Sequence, residues 1–243
     1  MPIGAWWRGV QGELACLEKV LLGRTRPDAA MAVREAVALC GTEPWCRRCG
    51  KTLEDTSPAR TAPDGSLACA HCLKQPLFDG FIRLGRYASP LDRLVQRVKA
   101  RAWHDAADLL GRELARTAVR EVPTPPGGWR VVPVPSPALR RWARGIDHTD
   151  AMARGMCAVL QVPRLHCLRA RALVRQAALG RRERLERVRM AWCGPPAVPG
   201  DIGILLLDDI RTTGATLHKA RELLVRRGAR LVVPTVICVR DGP

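Results

Sequence analysis

Hydrophobic positions change their spacing several times along the chain, and each change marks an expected element. Residues 1–40 carry a weak helical stripe, with Leu14, Leu17, Leu21 and Leu22 at spacings of three, four and one. From Trp45 to Leu77 no period survives, and short turn-rich segments stand between paired cysteines. The segment FIRLGRYAS, from Phe81, predicts a strand. Ser89-Pro90 predicts a helix start, a capping hydroxyl followed by proline at the first helical position. Leu91, Leu94, Val95 and Val98 then share one helical face, and Ala106, Leu110, Leu114 and Ala118 continue the pattern in the next helix.

The second half alternates in the same way. The loop VPTPPGG (122–128) leads into the apolar strand WRVVPVP, the basic turn SPALRRWARG and a helix from His148 to Leu160. An arginine-dense stretch, 168–190, precedes a Pro/Gly loop at 194–200. A strand at Ile204–Leu207, a helix from Thr216 to Arg227 stopped by Gly228, and a strand at Leu231–Cys238 complete a βαβ unit, whose two strands are expected to be parallel and buried.

The chain has 243 residues and a formal charge of +17. Its only lysines are Lys19, Lys51, Lys74, Lys99 and Lys219, so the charge is almost all arginine. Such a balance suits polyanionic partners, phosphate-rich small molecules or nucleic acid, although genomic base composition also produces arginine richness. No apolar run approaches the roughly 20 residues that span a bilayer, and no segment reads as a signal peptide. The expectation is a cytoplasmic protein without membrane insertion.

Four of the ten cysteines form two C-x-x-C pairs, Cys46/Cys49 and Cys69/Cys72, with nineteen residues between them. Two such turns bring four thiolates to one centre, the geometry of a structural zinc site with no position open to water. His71 is a weaker candidate ligand inside the second pair. Cys16, Cys40, Cys157, Cys167, Cys193 and Cys238 lack ligand-like spacing and are expected to be small buried residues.

The stretch LLLDDIRTTGAT (205–216) concentrates the chemistry. Its apolar run delivers Asp208 and Asp209 to the carboxyl edge of a parallel sheet, where open α/β folds bind ligands. Thr212, Thr213, Gly214, Ala215 and Thr216 then supply hydroxyls and unpaired amides at a helix start, an arrangement that favours a phosphate. The two acids suit sugar hydroxyls, or a divalent metal bridging to a second phosphate.

This string resembles the signature of the type I phosphoribosyltransferases: hydrophobic residues, two acids, then T-T-G-x-T. The resemblance implies an α/β fold with a parallel sheet flanked by helices. It also implies that Asp208 and Asp209 meet the ribose hydroxyls of phosphoribosyl pyrophosphate, with magnesium, while Thr212 to Thr216 hold the 5-phosphate. Cysteine pairs ahead of such a domain resemble the ComF family, named for bacterial competence in DNA uptake, over residues 45–240. The organisation expected is a helical extension (1–40), a zinc-binding minidomain (41–77) and a phosphoribosyltransferase-like domain (78–243).

VVPVPSPALRRWARG resembles the family's V-P-V-P segment and its following arginines, which makes Arg140 and Arg144 candidates for pyrophosphate. Guanidinium forks suit that contact; a solvated helix face is the other reading. Where the family has R-G-F-N-Q, this chain has Arg144-Gly145-Ile146-Asp147-His148. In RQAALGRRERLERVRMAW, Gln176, Leu179, Arg184 and Val188 match the family while Arg187 stands in place of asparagine. Arg175, Arg181, Arg182 and Arg184 there could form a lid, a single-stranded DNA track or a charged amphipathic helix, with Trp103, Trp129, Trp142 and Trp192 as stacking or core residues. The family implies assistance in cytoplasmic handling of single-stranded DNA, beside a DNA-uptake helicase or translocase. An active transferase is the alternative, but the chain has no recognisable base-binding segment.

Overall fold

Buried residues in the computed structural model fall into two large clusters separated by a sheet, and a third, smaller cluster built around the paired cysteines. Residues 28–40, 43–53, 60–100, 103–136, 147–170 and 190–241 are described. In chain order the elements are α1 (Ala29–Ala38), β1 (Arg60–Thr61), β2 (Leu67–Ala68), α2 (Ala70–Lys74), β3 (Ile82–Arg86), α3 (Leu91–Ala100), α4 (His104–Glu121) and β4 (Trp129–Pro133). They continue with α5 (His148–Leu160), β5 (Leu168–Ala170), β6 (Met190–Trp192), β7 (Gly203–Arg211), α6 (Ala215–Val225) and β8 (Leu231–Val239).

β3, β8, β7 and β4 lie side by side in that order, all parallel. The central pair explains the near-continuous apolar reading of its sequence, because both faces are covered. Leu205 and Leu207 look into one cluster with Val95, Val98, Leu110, Leu114 and Met152. Ile204 and Leu206 look into the other with Val132, Leu217, Ala220 and Leu224. Each of these side chains stabilises the fold by about 1.5–3 kcal/mol relative to exposure. The chain is thus an α/β parallel sheet flanked by helices, preceded by a four-cysteine cluster, as the resemblance implies.

α4 and α5 cross at two glycines. A Cβ on Gly111 would stand 1.9 Å from the Met152 carbonyl oxygen, and one on Gly155 1.9 Å from that of Asp108. Backbone therefore touches backbone, and this fixes the height of His148 at the start of α5.

Several elements differ from the sequence pattern. β7 runs on to Arg211, so both acids lie inside the strand, with Asp208 opposite Val236. α3 begins at Leu91, one residue past the expected proline start. The ends of the arginine-dense stretch pair as an antiparallel ladder, Leu168 opposite Trp192 and Ala170 opposite Met190. Three-residue strands are too short to leave a period. Trp103 and Trp129 are core residues rather than stacking platforms, and Trp192 is half-buried beneath the Arg227 guanidinium. Among the isolated cysteines Cys167 and Cys238 are buried and Cys40 and Cys157 half-buried, but Cys193 is exposed, against expectation.

Within the expected extension, α1 packs Val33 and Ala36 into the larger core. The leucine stripe at 14–22 and Cys16 lie outside the described residues, as do Arg140, Arg144, Trp142, Arg175, Arg181, Arg182 and Arg184. No described helix is long and apolar enough to cross a membrane.

Candidate functional site

The Sγ atoms of Cys46, Cys49, Cys69 and Cys72 all lie within 4.8 Å of one another, and Cys49 and Cys69 are 3.9 Å apart. A tetrahedral zinc with bonds of about 2.3 Å would hold its sulfurs roughly 3.8 Å apart, so the four donors fit. His71 is exposed and outside the cluster. The first turn closes through Gly50 N–H to the Cys46 carbonyl at 2.8 Å. Gly50 has φ +76°, and the Phe81 ring fills the place a Cβ would take. The second pair straddles the start of α2, with Leu73 N–H donating to the Cys69 carbonyl at 3.0 Å.

The clustered thiols do not ionise alike. Cys46 is pulled down to about 4, first by a hydrogen bond with the Cys49 side chain, against the opposing pull of burial, with backbone hydrogen bonds adding to it. Cys49, the partner in that bond, is pushed up, and burial with the Cys46 charge pushes Cys72 up to about 12. Such an arrangement can hold a metal ion such as zinc, which would replace the shared proton.

This module is tied to the sheet. Arg47 pairs with Glu121 on α4 at 2.5 Å and lies 3.9 Å over the Trp45 ring. Arg83 on β3, only 1% exposed, donates to Thr52 Oγ1 at 2.9 Å.

At the carboxyl end of β7 the two acids occupy different surroundings. Strand alternation places them on opposite faces. Asp209 Oδ2 receives Lys99 Nζ from α3 at 2.8 Å and His148 Nε2 from α5 at 2.5 Å. Burial alone would raise its carboxyl, but the His148 hydrogen bond and the Lys99 charge outweigh that and hold it below the ordinary value. His148 Nδ1 is buried without a hydrogen-bond partner among the described residues. Asp208 forms no ion pair among the described residues: burial, then the Asp209 charge, pushes its carboxyl up to about 8, with Lys99 opposing only in part. Its Oδ1 accepts a hydrogen bond from the backbone N–H of Asp209, at 2.8 Å. Asp209 thus binds β7, α3 and α5 together.

Sequence reasoning missed Lys99, and it saw His148 only as a departure from a family pattern. Both lie far from Asp209 along the chain, so no local spacing signals the contact. The same substitution that removes the family's amides makes Asp147 the N-cap of α5, accepting from Asp150 N–H.

The loop after β7 has the features expected of an anion cradle. Gly214 precedes α6 with φ +80°, and no side chain caps the helix. A Cβ at Gly214 would have room, 3.6 Å from Arg211 Nε, so the positive φ is what requires glycine. Thr213 Oγ1 reaches Ala215 N–H only loosely, at 3.4 Å, and Thr212, Thr213 and Ala215 are exposed. First-turn amides and hydroxyls thus face solvent at the positive end of a helix dipole.

No family model matches the chain. It is 28% identical to competence protein F of Haemophilus influenzae over 199 residues, covering 76% of this chain and 80% of that protein. It is 29% identical to DNA utilization protein YhgH of Salmonella typhi over 225 residues, covering 86% and 87%. Among solved structures it is similar to a hypoxanthine phosphoribosyltransferase from Trypanosoma cruzi, 16% identical over 58% of this chain and 69% of the other, with a TM-score of 0.35. The cysteine cluster ahead of a parallel sheet, the acid and threonine loop at its edge, and relatives matched over most of their length together support the ComF family for this chain.

Proposed function

We propose that this chain binds phosphoribosyl pyrophosphate with magnesium and assists the handling of single-stranded DNA during DNA uptake, its fold secured by a structural zinc ion. In this reading residues 41–77 are the zinc module and 78–243 the ligand-binding domain. The 5-phosphate rests on Thr212, Thr213, Gly214, Ala215 and Thr216, and Asp208 accepts hydrogen bonds from the ribose hydroxyls. Asp209 contributes by anchoring the strand end, and joins the ligand only if Lys99 and His148 release it. Arg140 and Arg144 take the pyrophosphate. Arg175, Arg181, Arg182 and Arg184, on the stretch whose ends form the β5–β6 ladder, follow a DNA backbone. Magnesium, when bound with the ligand, would neutralise pyrophosphate charge.

The observation that carries the reading is the junction of β7 and α6: a helix start without a side-chain cap behind a positive-φ glycine, with the Asp208 carboxyl, which forms no ion pair among the described residues, at the same strand end. Names of the relatives, competence protein F and DNA utilization protein, support the DNA role. Calorimetry of one zinc-loaded preparation with phosphoribosyl pyrophosphate and magnesium, then with a short single strand, tests both halves. Failure of both ligands to bind overturns the proposal. Release of pyrophosphate on adding a nucleobase would establish the transferase reading instead.

A further inference from the structure

A cavity of about 500 Å³ opens beside the phosphate loop, and its lining includes Thr213, Gly214 and Ala215 but not Asp208. The space thus adjoins the loop without reaching the acid proposed to meet the ribose. Its floor is one stripe of α6, from Ala215 through His218 and Lys219 to Glu222, seven residues or about 10 Å of helix. Leu77 and Phe78, where the cysteine module joins the sheet domain, form the facing wall. A phosphate monoester such as the 5-phosphate of phosphoribosyl pyrophosphate needs no such extension, because nothing continues beyond its oxygens.

The lining is chemically mixed in a particular way. Arg211 supplies positive charge at the loop end. Lys219 is paired with Glu222 at 2.8 Å, which makes the far end close to neutral. Between them the exposed His218 ring meets the buried Phe78 ring edge-on, with centroids 6.2 Å apart. Charge at one end, a planar ring at the middle and an apolar wall opposite suit a group that is anionic where it meets the loop and flat where it leaves it. Volumes of about 300–1,000 Å³ are typical of small-ligand sites.

We infer that this cavity is a nucleoside subsite, so that the loop accepts a phosphodiester: one nucleoside lies toward Asp208, and its neighbour enters the cavity with its base on His218. The inference rests on the proposed phosphate role of the loop and adds a ligand class, a nucleotide within a single strand as well as a phosphate monoester.

The test compares thymidine 5′-monophosphate with the dinucleoside phosphate d(TpT), by calorimetry on the zinc-loaded full chain. Base stacking contributes enough for about a tenfold gain by the dinucleotide. His218→Ala, an exposed change on a helix surface, should remove that gain and leave monophosphate affinity unchanged. Leu77→Trp, which fills the cavity from the other wall, should do the same. An abasic dinucleotide, with the phosphodiester but no second base, supplies the reference of equal charge and should bind about tenfold more weakly than d(TpT). If the monophosphate and phosphoribosyl pyrophosphate bind while d(TpT) gains nothing, or gains equally in His218→Ala, the subsite is refuted and the loop reading stands. If neither monoester binds, the loop reading itself has failed.

Discussion

Replacing Asp209 with asparagine should cost more stability than any other change at the ligand edge. The carboxylate accepts from Lys99 at 2.8 Å and His148 at 2.5 Å, joining β7 to α3 and α5 in a site where Asp209 is 9% exposed. Hydrogen bonds to charged groups contribute about 1.5–3 kcal/mol each, which sets a ceiling of about 3–6 kcal/mol. Two effects lower it. The Lys99 side chain keeps 25% of its surface in solvent and can rehydrate, and the asparagine oxygen can still accept from His148. The expected loss is therefore about 2–3 kcal/mol, or about 4–12 °C in midpoint for a domain of this size.

Urea unfolding followed by tryptophan fluorescence, with metal retained, measures this loss directly. Because the Asp209 carboxyl is held below its ordinary value, its contribution is present above the unfolded pKa of about 3.9 and is lost as pH falls through the lower folded value. The gap between wild type and variant should be flat from pH 6 to 8 and close in acid. A variant within about 0.5 kcal/mol of wild type at pH 7 would refute the assignment, since differences that small are typical of surface substitutions. A gap that opened in acid would refute its electrostatic cause.

Asp208→Asn should behave in the opposite sense. Its folded carboxyl is raised to about 8, so stability is lost in wild type as pH rises from about 4 toward 8. The variant should gain on wild type over that window, and it should lose phosphoribosyl pyrophosphate binding. For the same reason ligand binding at pH 7 should release a proton, visible as a dependence of calorimetric heat on buffer ionisation enthalpy. Elemental analysis should return one zinc per chain, and Cys49→Ser should lose it and destabilise the cysteine module, because metal binding and folding are coupled in so small a unit. Single-strand affinity should fall steeply with salt, and replacing Arg175, Arg181, Arg182 and Arg184 together should flatten the log–log slope by about 0.7 per lost phosphate contact. An unchanged slope would remove those arginines from the track.

What the sequence revealed of this architecture was what it writes locally. The four cysteines repeat one turn at close spacing, and their convergence follows from that repetition. The β7–α6–β8 unit announces itself by apolar runs on either side of a helix, and Gly214 marks the point where the backbone must turn to positive φ. The helix His148–Leu160 appears with the bounds its pattern predicts. The unequal fates of Asp208 and Asp209 could not be read this way. Adjacent acids look alike in a string, and only the packing of α3 and α5 beside β7 brings Lys99 and His148 to one of them. Likewise Gly111 and Gly155 look like weaknesses in helical segments until the helices are seen to touch there.

That glycine crossing makes the edge of the ligand site sensitive to a methyl group placed far from it. Gly155 lies seven residues after His148, two turns or about 10 Å along α5. A side chain at Gly155 would meet the Asp108 carbonyl, an atom that cannot swing aside, so α5 would have to lift away from α4 as a rigid rod. The lift would travel along the rod to His148 and stretch its contact with Asp209. In this protein the spacing of a carboxylate and an imidazole is thus gauged by the absence of two side chains elsewhere, as a shim of zero thickness sets the seat of a hinge.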